Sequence, residues 1–274
     1  MAVSGGVLRV GRRRGSGRLS RADARDAAKL LRQAIQAEHS GSTDHRWVSG
    51  DPPHVPEKGA RAIDAAVPHE ILRMRAGEVI LAEGSIPEVT TVLLEGWAYR
   101  YKALRDGPRQ ITGFLLPGDF CGTSAVTGRG HFGVKCLTDV RLARVEASFG
   151  DISPGRRALE DRAREAMVRE GAIMGAWLLN IGQRKGLERT AHLLCELAAR
   201  MLKLGMHRVD GGLELPLTQQ DLADALGLTS VHVNRVLQSL RDQGFIDTGR
   251  GILSIKNVDA LSALAEFDQV YLTT

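Results

Sequence analysis

The chain has 274 residues, 43% of them hydrophobic and 25% charged, with a formal net charge of +5. That is an ordinary globular composition, long enough for one or two domains that bury a full core. It has no apolar run of roughly 18 residues and no apolar signal region behind the N-terminal arginines, which argues against a membrane span or a secretory or twin-arginine signal. Three scattered cysteines, Cys121, Cys136 and Cys195, do not make a disulfide framework, and a cytoplasmic protein is expected.

Residues 1–20, MAVSGGVLRVGRRRGSGRLS, are rich in Gly, Ser and Arg without periodicity and predict a disordered basic arm. The first 25 residues hold seven arginines against one acidic residue, Asp23, so this segment alone accounts for the positive excess. RADARDAAKLLRQAIQAEH, 21–39, carries an apolar row at Ala28, Leu31 and Ile35 and predicts one helix before a Gly/Pro/Ser-rich linker, 40–60. Residues 1–60 are thus expected to be an arm, a short helix and a linker, partly disordered and with no function assigned.

From about Val67 the period changes to that of strands. EILRMRAGEVILAEGS, TTVLLEGWAYRYKAL, RQITGFLLPGDFCG and HFGVKCLTDVRLARVEA are separated by Gly, Pro and Asp turns. Many short strands broken by turn residues predict a jelly roll or barrel over 61–153.

RRALEDRAREAMVREGAIMGAWLLNIGQ, 156–183, contains no Pro. Met167, Gly171, Met174, Leu178 and Ile181 recur at 4, 3, 4, 3 spacing, with Ala166, Ile173 and Trp177 beside them. A long helix with so broad an apolar stripe needs a cover, and the simplest is the same helix of a second subunit. Residues 154–186 are therefore expected to be a dimerisation helix.

Residues 187–274 form the last predicted domain. It opens on a helix, ERTAHLLCELAARML, 188–202. In LTQQDLADALGLTSVHVNRVLQSL, 217–240, Thr218 stands as an N-cap before a short helix whose apolar residues are Leu222, Ala223 and Leu226. Gly227 supplies the turn, and Thr229 or Ser230 caps a second helix with the apolar face Val233, Val236, Leu237 and Leu240. The opposite side then carries Val231, Arg235 and Gln238, flanked by His232 and Asn234, with Ser230 at the helix start. A helix–turn–helix with such side chains at the start of its second helix has the geometry of a major-groove reader. QGFIDTGRGILSI, 243–255, reads as strand, Gly-Arg-Gly turn and strand, a wing with Arg250 at its tip. From Leu187 onward there are eight Lys+Arg against eleven Asp+Glu, so DNA affinity must come from a few placed cations and backbone amides.

Helix–turn–helix plus wing, preceded by LELPLT at 213–218, resembles the winged-helix domain of the Crp/Fnr family of bacterial transcription regulators. RAGEVILAEG (75–84), VLLEGWAYRY (92–101) and FLLPGDFCG (114–122) are similar to that family's cyclic-nucleotide-binding β-roll. The resemblance covers about 65–256 and implies an α+β fold: an N-terminal jelly-roll sensor, a long dimerisation helix and a C-terminal winged helix-turn-helix. It implies a homodimer on a palindromic operator in double-stranded DNA, with RNA polymerase as a further partner and no membrane.

On the reading helix Arg235 can donate two hydrogen bonds to guanine, Asn234 can pair with adenine, and Ser230 or His232 can reach a base or phosphate. Gln219 and Arg250 are expected on the DNA backbone. Family members of the FNR type carry a Glu where this chain has Val231, which can touch a thymine methyl but cannot accept a hydrogen bond from cytosine. In cyclic-AMP-binding members a Gly-Glu pair follows the GDF turn and an Arg-Ser pair binds the phosphate. Here Gly122 is followed by Thr123, marking the effector pocket, and no Arg-Ser pair exists, so the cyclic-nucleotide expectation is not supported and the effector is unknown. The N-terminal arm has no cysteine for an iron–sulfur cluster. Haem ligation is not expected, because the histidine that haem-sensing relatives place near Cys121 is replaced by Thr123.

Two other classes compete. A jelly-roll metalloenzyme would need clustered histidines and carboxylates. The eight histidines show neither His-x-His spacing within the strands nor His-x-x-x-His on a helix, so no enzyme and no metal site are expected. A winged helix used only for protein contacts is the alternative that the acidic balance of the domain leaves open.

Overall fold

The structure, a computed structural model, describes residues 70–86, 89–105, 107–122, 131–146, 154–249 and 251–272. The basic arm, the helix expected at 21–39 and the linker lie outside the described residues.

Eight strands build the first half: β1 (Glu70–Met74), β2 (Val79–Leu81), β3 (Val89–Glu95), β4 (Ala98–Ala103), β5 (Arg109–Leu115), β6 (Phe120–Gly122), β7 (Gly133–Cys136) and β8 (Val140–Glu146). They form two four-stranded sheets, ordered β1-β8-β3-β6 and β2-β7-β4-β5, with antiparallel pairing throughout. Each predicted segment splits at a turn, the first three at Gly77, Gly96 and Gly118 and the fourth at Leu137-Thr138-Asp139. At Gly96, between β3 and β4, φ is +84° and a Cβ would collide with the Asp139 carbonyl, so only glycine fits the turn.

The period of two sends alternate residues to opposite faces. Leu93, Leu115, Cys121, Val134, Cys136 and Leu142 fill the space between the sheets. Val92, Phe120, Ala143 and Val145 face outward, where Leu159, Ala163 and Ala166 of the long helix α1 (Pro154–Gln183) cover them. Cys121 and Cys195 are both buried, and burial pushes each thiol up to about 12, so they pack as small apolar groups.

The second half consists of α2 (Gly186–Lys203), β9 (Leu213–Glu214), α3 (Gln219–Leu226), α4 (Ser230–Asp242), β10 (Ile246–Gly249), β11 (Ile252–Ile255), α5 (Val258–Ala265) and a 3₁₀ turn, Gln269–Leu272. The wing sheet is three-stranded, β10-β11-β9. The α+β architecture is the one expected from the resemblance; α5 and the 3₁₀ turn are additions to the predicted elements.

The halves are not separated by a polar gap. Tyr99, Ile111 and Phe114 of the roll belong to the same apolar cluster as Trp177 of α1 and Leu222 and Leu226 of α3. The apolar stripe of α1 is accordingly divided. Ala166 and Trp177 are buried inside the protomer, Met167, Met174 and Ile181 stand half-buried at the border, and Gly171 and Leu178 face out, Leu178 with 74% of its surface exposed. Val168 and Leu179 extend that exposed apolar face.

Candidate nucleic-acid interface

Local chemistry sets the helix–turn–helix. Thr218 caps α3, its hydroxyl accepting from the Asp221 N–H at 3.1 Å, while Asp221 Oδ2 accepts from the Thr218 N–H at 3.0 Å. Gly227 ends α3 at φ 61°, ψ 39°, the left-handed region that favours glycine. Thr229 caps α4 by accepting from the His232 N–H at 3.2 Å, which decides between the two predicted caps. Arg189 of α2 then ties the corner together, donating to the Leu226 and Ile181 carbonyls at 2.7 Å each. These are C-terminal carbonyls of α3 and α1, where a cation is favoured by the helix dipoles.

Helix α4 buries Val233, Val236 and Leu240 and half-buries Leu237. Its other side exposes Val231, at 60%, together with His232, Asn234, Arg235 and Gln238, and Ser230 is half-buried. The sequence-predicted residues thus share one face, with three qualifications. Asn234 Oδ1 accepts from Gln219 Nε2 of α3 at 3.3 Å, linking the two helices. Gln238 donates to Asp242 at 2.7 Å and accepts from Arg241 at 2.7 Å, so its amide is held. The His232 ring leans back over Gly186, with Nε2 only 2.7 Å from where a Cβ on that glycine would stand; this pose directs it toward the start of α2. Among the described residues Arg235 has no side-chain hydrogen bond or ion pair, and its fork is free.

Arg241 was not singled out in the sequence. It donates to Thr248 Oγ1 at 2.5 Å and so fastens α4 to the wing strand β10. Arg250, expected at the wing tip, lies outside the described residues.

The open end of the roll holds a cavity of about 430 Å³. Leu72, Met74, Leu81, Cys121 and Leu142 make its apolar wall, and Gly122 lies on its rim. Register puts Glu70, Arg144 and Thr91 side by side across one sheet, and Arg144 and Thr91 line the cavity. Arg144 is the one cation among the described lining residues, and it faces Glu70 at 3.4 Å. A phosphate would find there a single, shared guanidinium. Thr123 lies outside the described residues. Among the described residues no three metal-ligating side chains cluster, and no helix is long and apolar enough to cross a membrane.

Comparison with known proteins places both halves. Residues 188–264 match the profile of the Crp-like helix-turn-helix domain and 71–149 that of the cyclic nucleotide-binding domain. The chain is 34% identical over 191 residues to the nitrogen fixation regulation protein FixK of Bradyrhizobium diazoefficiens, covering 69% of this chain and 79% of that protein. It is 31% identical over 225 residues to the FixK of Rhizobium meliloti, covering 80% of this chain and 89% of the relative. Among solved structures, FixK2 from Bradyrhizobium japonicum superposes with a TM-score of 0.64 at 27% identity, covering 72% of this chain and 98% of that one. The relatives are regulators of transcription and not enzymes. The roll, the long helix, the winged helix and these identities together make this chain a member of the Crp/Fnr family of DNA-binding transcription regulators.

Proposed function

We propose that the protein acts as a homodimer that presents two α4 helices to the half-sites of a palindromic operator. The observation that carries this is the division of labour on α4: Val233, Val236 and Leu240 are spent on the core, while Val231, Asn234 and Arg235 are exposed on the opposite side. Arg235 and Val231 read bases, whereas Ser230, His232, Asn234 and Gln238 assist or hold geometry. Gln219 and Arg250 contact the backbone.

Dimerisation uses the outer side of α1, through Met167, Gly171, Met174, Leu178 and Ile181, extended by the exposed Val168 and Leu179. The chain divides functionally into the arm and linker (1–60), the roll (61–153), the dimer helix (154–186) and the reader (187–274). Gly122 and Thr123 mark the effector pocket at the roll cavity. RNA polymerase is the partner through which a bound dimer would alter transcription, and the site of action is the cytoplasm, where the DNA of the bacterial relatives lies.

Selection of binding sites from random duplex DNA with the purified full chain tests this. A palindrome with half-sites about one helical turn apart is expected. Enrichment of single half-sites would overturn the dimeric arrangement, and no enrichment at low salt would favour a winged helix that serves protein contacts.

A further inference from the structure

Arg109 opens strand β5 of the roll, yet its guanidinium leaves its own sheet. Nη2 lies 2.8 Å from Asp221 Oδ1 and Nε 2.5 Å from Asp224 Oδ2. Both carboxylates stand on α3, the first helix of the helix–turn–helix, one turn apart. The Arg109 side chain stacks over the Tyr99 ring, 4.7 Å from its centroid, and donates to the Tyr99 hydroxyl. Its neighbour Gln110 donates to the Ala225 carbonyl in the last turn of α3 at 3.2 Å. The roll therefore grips α3 at both ends, over an apolar floor that includes Ile111, Leu222 and Leu226.

Two features connect this grip to the reading face. The Asp221 carboxylate is bifunctional: one oxygen takes Arg109, and the other accepts from the Thr218 N–H at 3.0 Å and hydroxyl at 2.6 Å, fixing the start of α3. The first residue of that helix, Gln219, holds Asn234 of α4. Polar contacts thus lead from β5 to Thr218 and, across the peptide bond to Gln219, on to the reading helix. The grip also takes the flank of α3 and leaves Val231, Asn234 and Arg235 exposed. Without Arg109, two carboxylates would stand without a counter-ion, held only by the neutral donors of Thr218 and Gln220, beside the helix end that approaches DNA phosphates, in a domain whose charge balance is already acidic.

Building on the DNA-reading assignment, we propose that Arg109 is the positioning residue of an interdomain latch, which holds the helix–turn–helix against the roll in the pose that binds DNA. DNA affinity then depends on a roll residue that touches no DNA. The planar fork matters as much as the charge, because Nε and Nη2 reach two carboxylates from fixed directions.

The experiment uses the full chain and two independent readouts. Affinity for the selected operator is measured by fluorescence anisotropy at fixed salt. The roll-to-wing distance is measured by pulsed electron resonance between spin labels at Lys102→Cys and Asp247→Cys, both exposed positions, with labelled protein diluted in unlabelled. The native cysteines are buried and do not compete for label. Arg109→Gln and Asp224→Asn should each weaken operator binding at least tenfold and broaden the distance distribution, while the unfolding transition stays cooperative. Arg109→Lys, which keeps the charge and loses the fork, should restore part of both. An unchanged distance distribution in Arg109→Gln would overturn the latch, and a broadened one with unchanged or tighter operator binding would overturn its role in the DNA-binding pose. Failure of the wild-type chain to select any sequence would strike the DNA-reading assignment itself, and the distances, which need no DNA, would still decide the latch.

Discussion

The indole N–H of Trp177 donates to Glu196 Oε2 at 2.9 Å, joining the long helix to α2 through a carboxylate with none of its surface exposed. The Tyr271 hydroxyl donates to the same oxygen at 2.9 Å. Arg200 pairs with Glu196 at 3.5 Å and continues into the roll, donating to Asp119 at 2.8 Å and to the Phe114 carbonyl at 2.9 Å. Burial pushes the Glu196 carboxyl up, while Arg200 and the Trp177 and Tyr271 bonds pull it down. Glu196→Ala would leave the Trp177 and Tyr271 donors without their acceptor and would take one of its two carboxylates from Arg200, and breaking such a buried set typically costs about 3–5 kcal/mol. The midpoint of urea unfolding should fall accordingly with an unchanged slope, and Glu196→Gln, which keeps an acceptor oxygen, should lose less. Equal losses for the two variants would show that side-chain volume, not the bonds, is what the site needs.

His192 gives the protein a pH-dependent stability. Its ring is stacked on Tyr271 at 6.1 Å between centroids and meets the edge of Phe267 at 5.4 Å. Burial, reinforced by Arg184, pushes the imidazole down to about 3. In the unfolded chain a histidine titrates near 6.5, so between these values the unfolded state binds a proton that the fold refuses. Stability therefore falls as pH is lowered from about 6.5, approaching roughly 1.4 kcal/mol per unit from this group. Glu196 acts with the opposite sign, since its raised carboxyl favours the fold most at low pH and loses that contribution as pH rises through its folded value. Comparing wild type with His192→Leu in denaturant titrations from pH 7 to 5 isolates the histidine. Parallel curves would show that His192 is protonated inside the fold.

The winged helix was legible because its signals are local. Thr218, Gly227 and the 233/236/240 row each act within one turn, and the structure uses them as the sequence predicts. The roll was legible through its alternation and Gly/Pro turns. The latch was not, because Arg109 and Asp224 are 115 residues apart and each looks like an ordinary solvated charge in its own segment. The stripe on α1 was readable as apolar but not as divided, since periodicity alone does not say that Ala166 and Trp177 face the protomer's own core while Leu178 faces away. The pose of His232 depends on Gly186, at the start of α2 and 46 residues earlier in the chain, and no spacing rule connects the two.

Leu178 tests the dimer face. At 74% exposure it contributes little to the protomer's own core, so a charge there should leave the fold intact. Across a two-fold helix pair Leu178 would approach its own copy, and two buried like charges would oppose association. Leu178→Glu is expected to sediment as a folded monomer that unfolds cooperatively, with a midpoint lowered only by the lost association and no longer dependent on protein concentration, and to lose affinity for a full palindrome while keeping weak half-site binding. A dimer that persists in this variant would move the interface elsewhere. Trp177→Glu, one residue away but buried in the protomer, should instead unfold the chain.

Arg235 and Arg250 should separate sequence reading from backbone attraction. Arg235 is exposed on the outer side of α4 and has no competing partner among the described residues, so its removal should not change stability. A bidentate contact to guanine is worth about 1–3 kcal/mol of discrimination. Arg235→Ala should therefore lower the preference for the selected operator over a single-base variant by roughly tenfold to a hundredfold at one position. Arg250→Ala should weaken all sequences about equally and reduce the slope of log affinity against log salt by about one. Measuring both variants on the operator and on scrambled duplex at several salt concentrations distinguishes the roles. If Arg235→Ala lowered affinity uniformly and left sequence preference intact, α4 would be lying on the phosphates, and the groove-reading element would have to be sought in the wing.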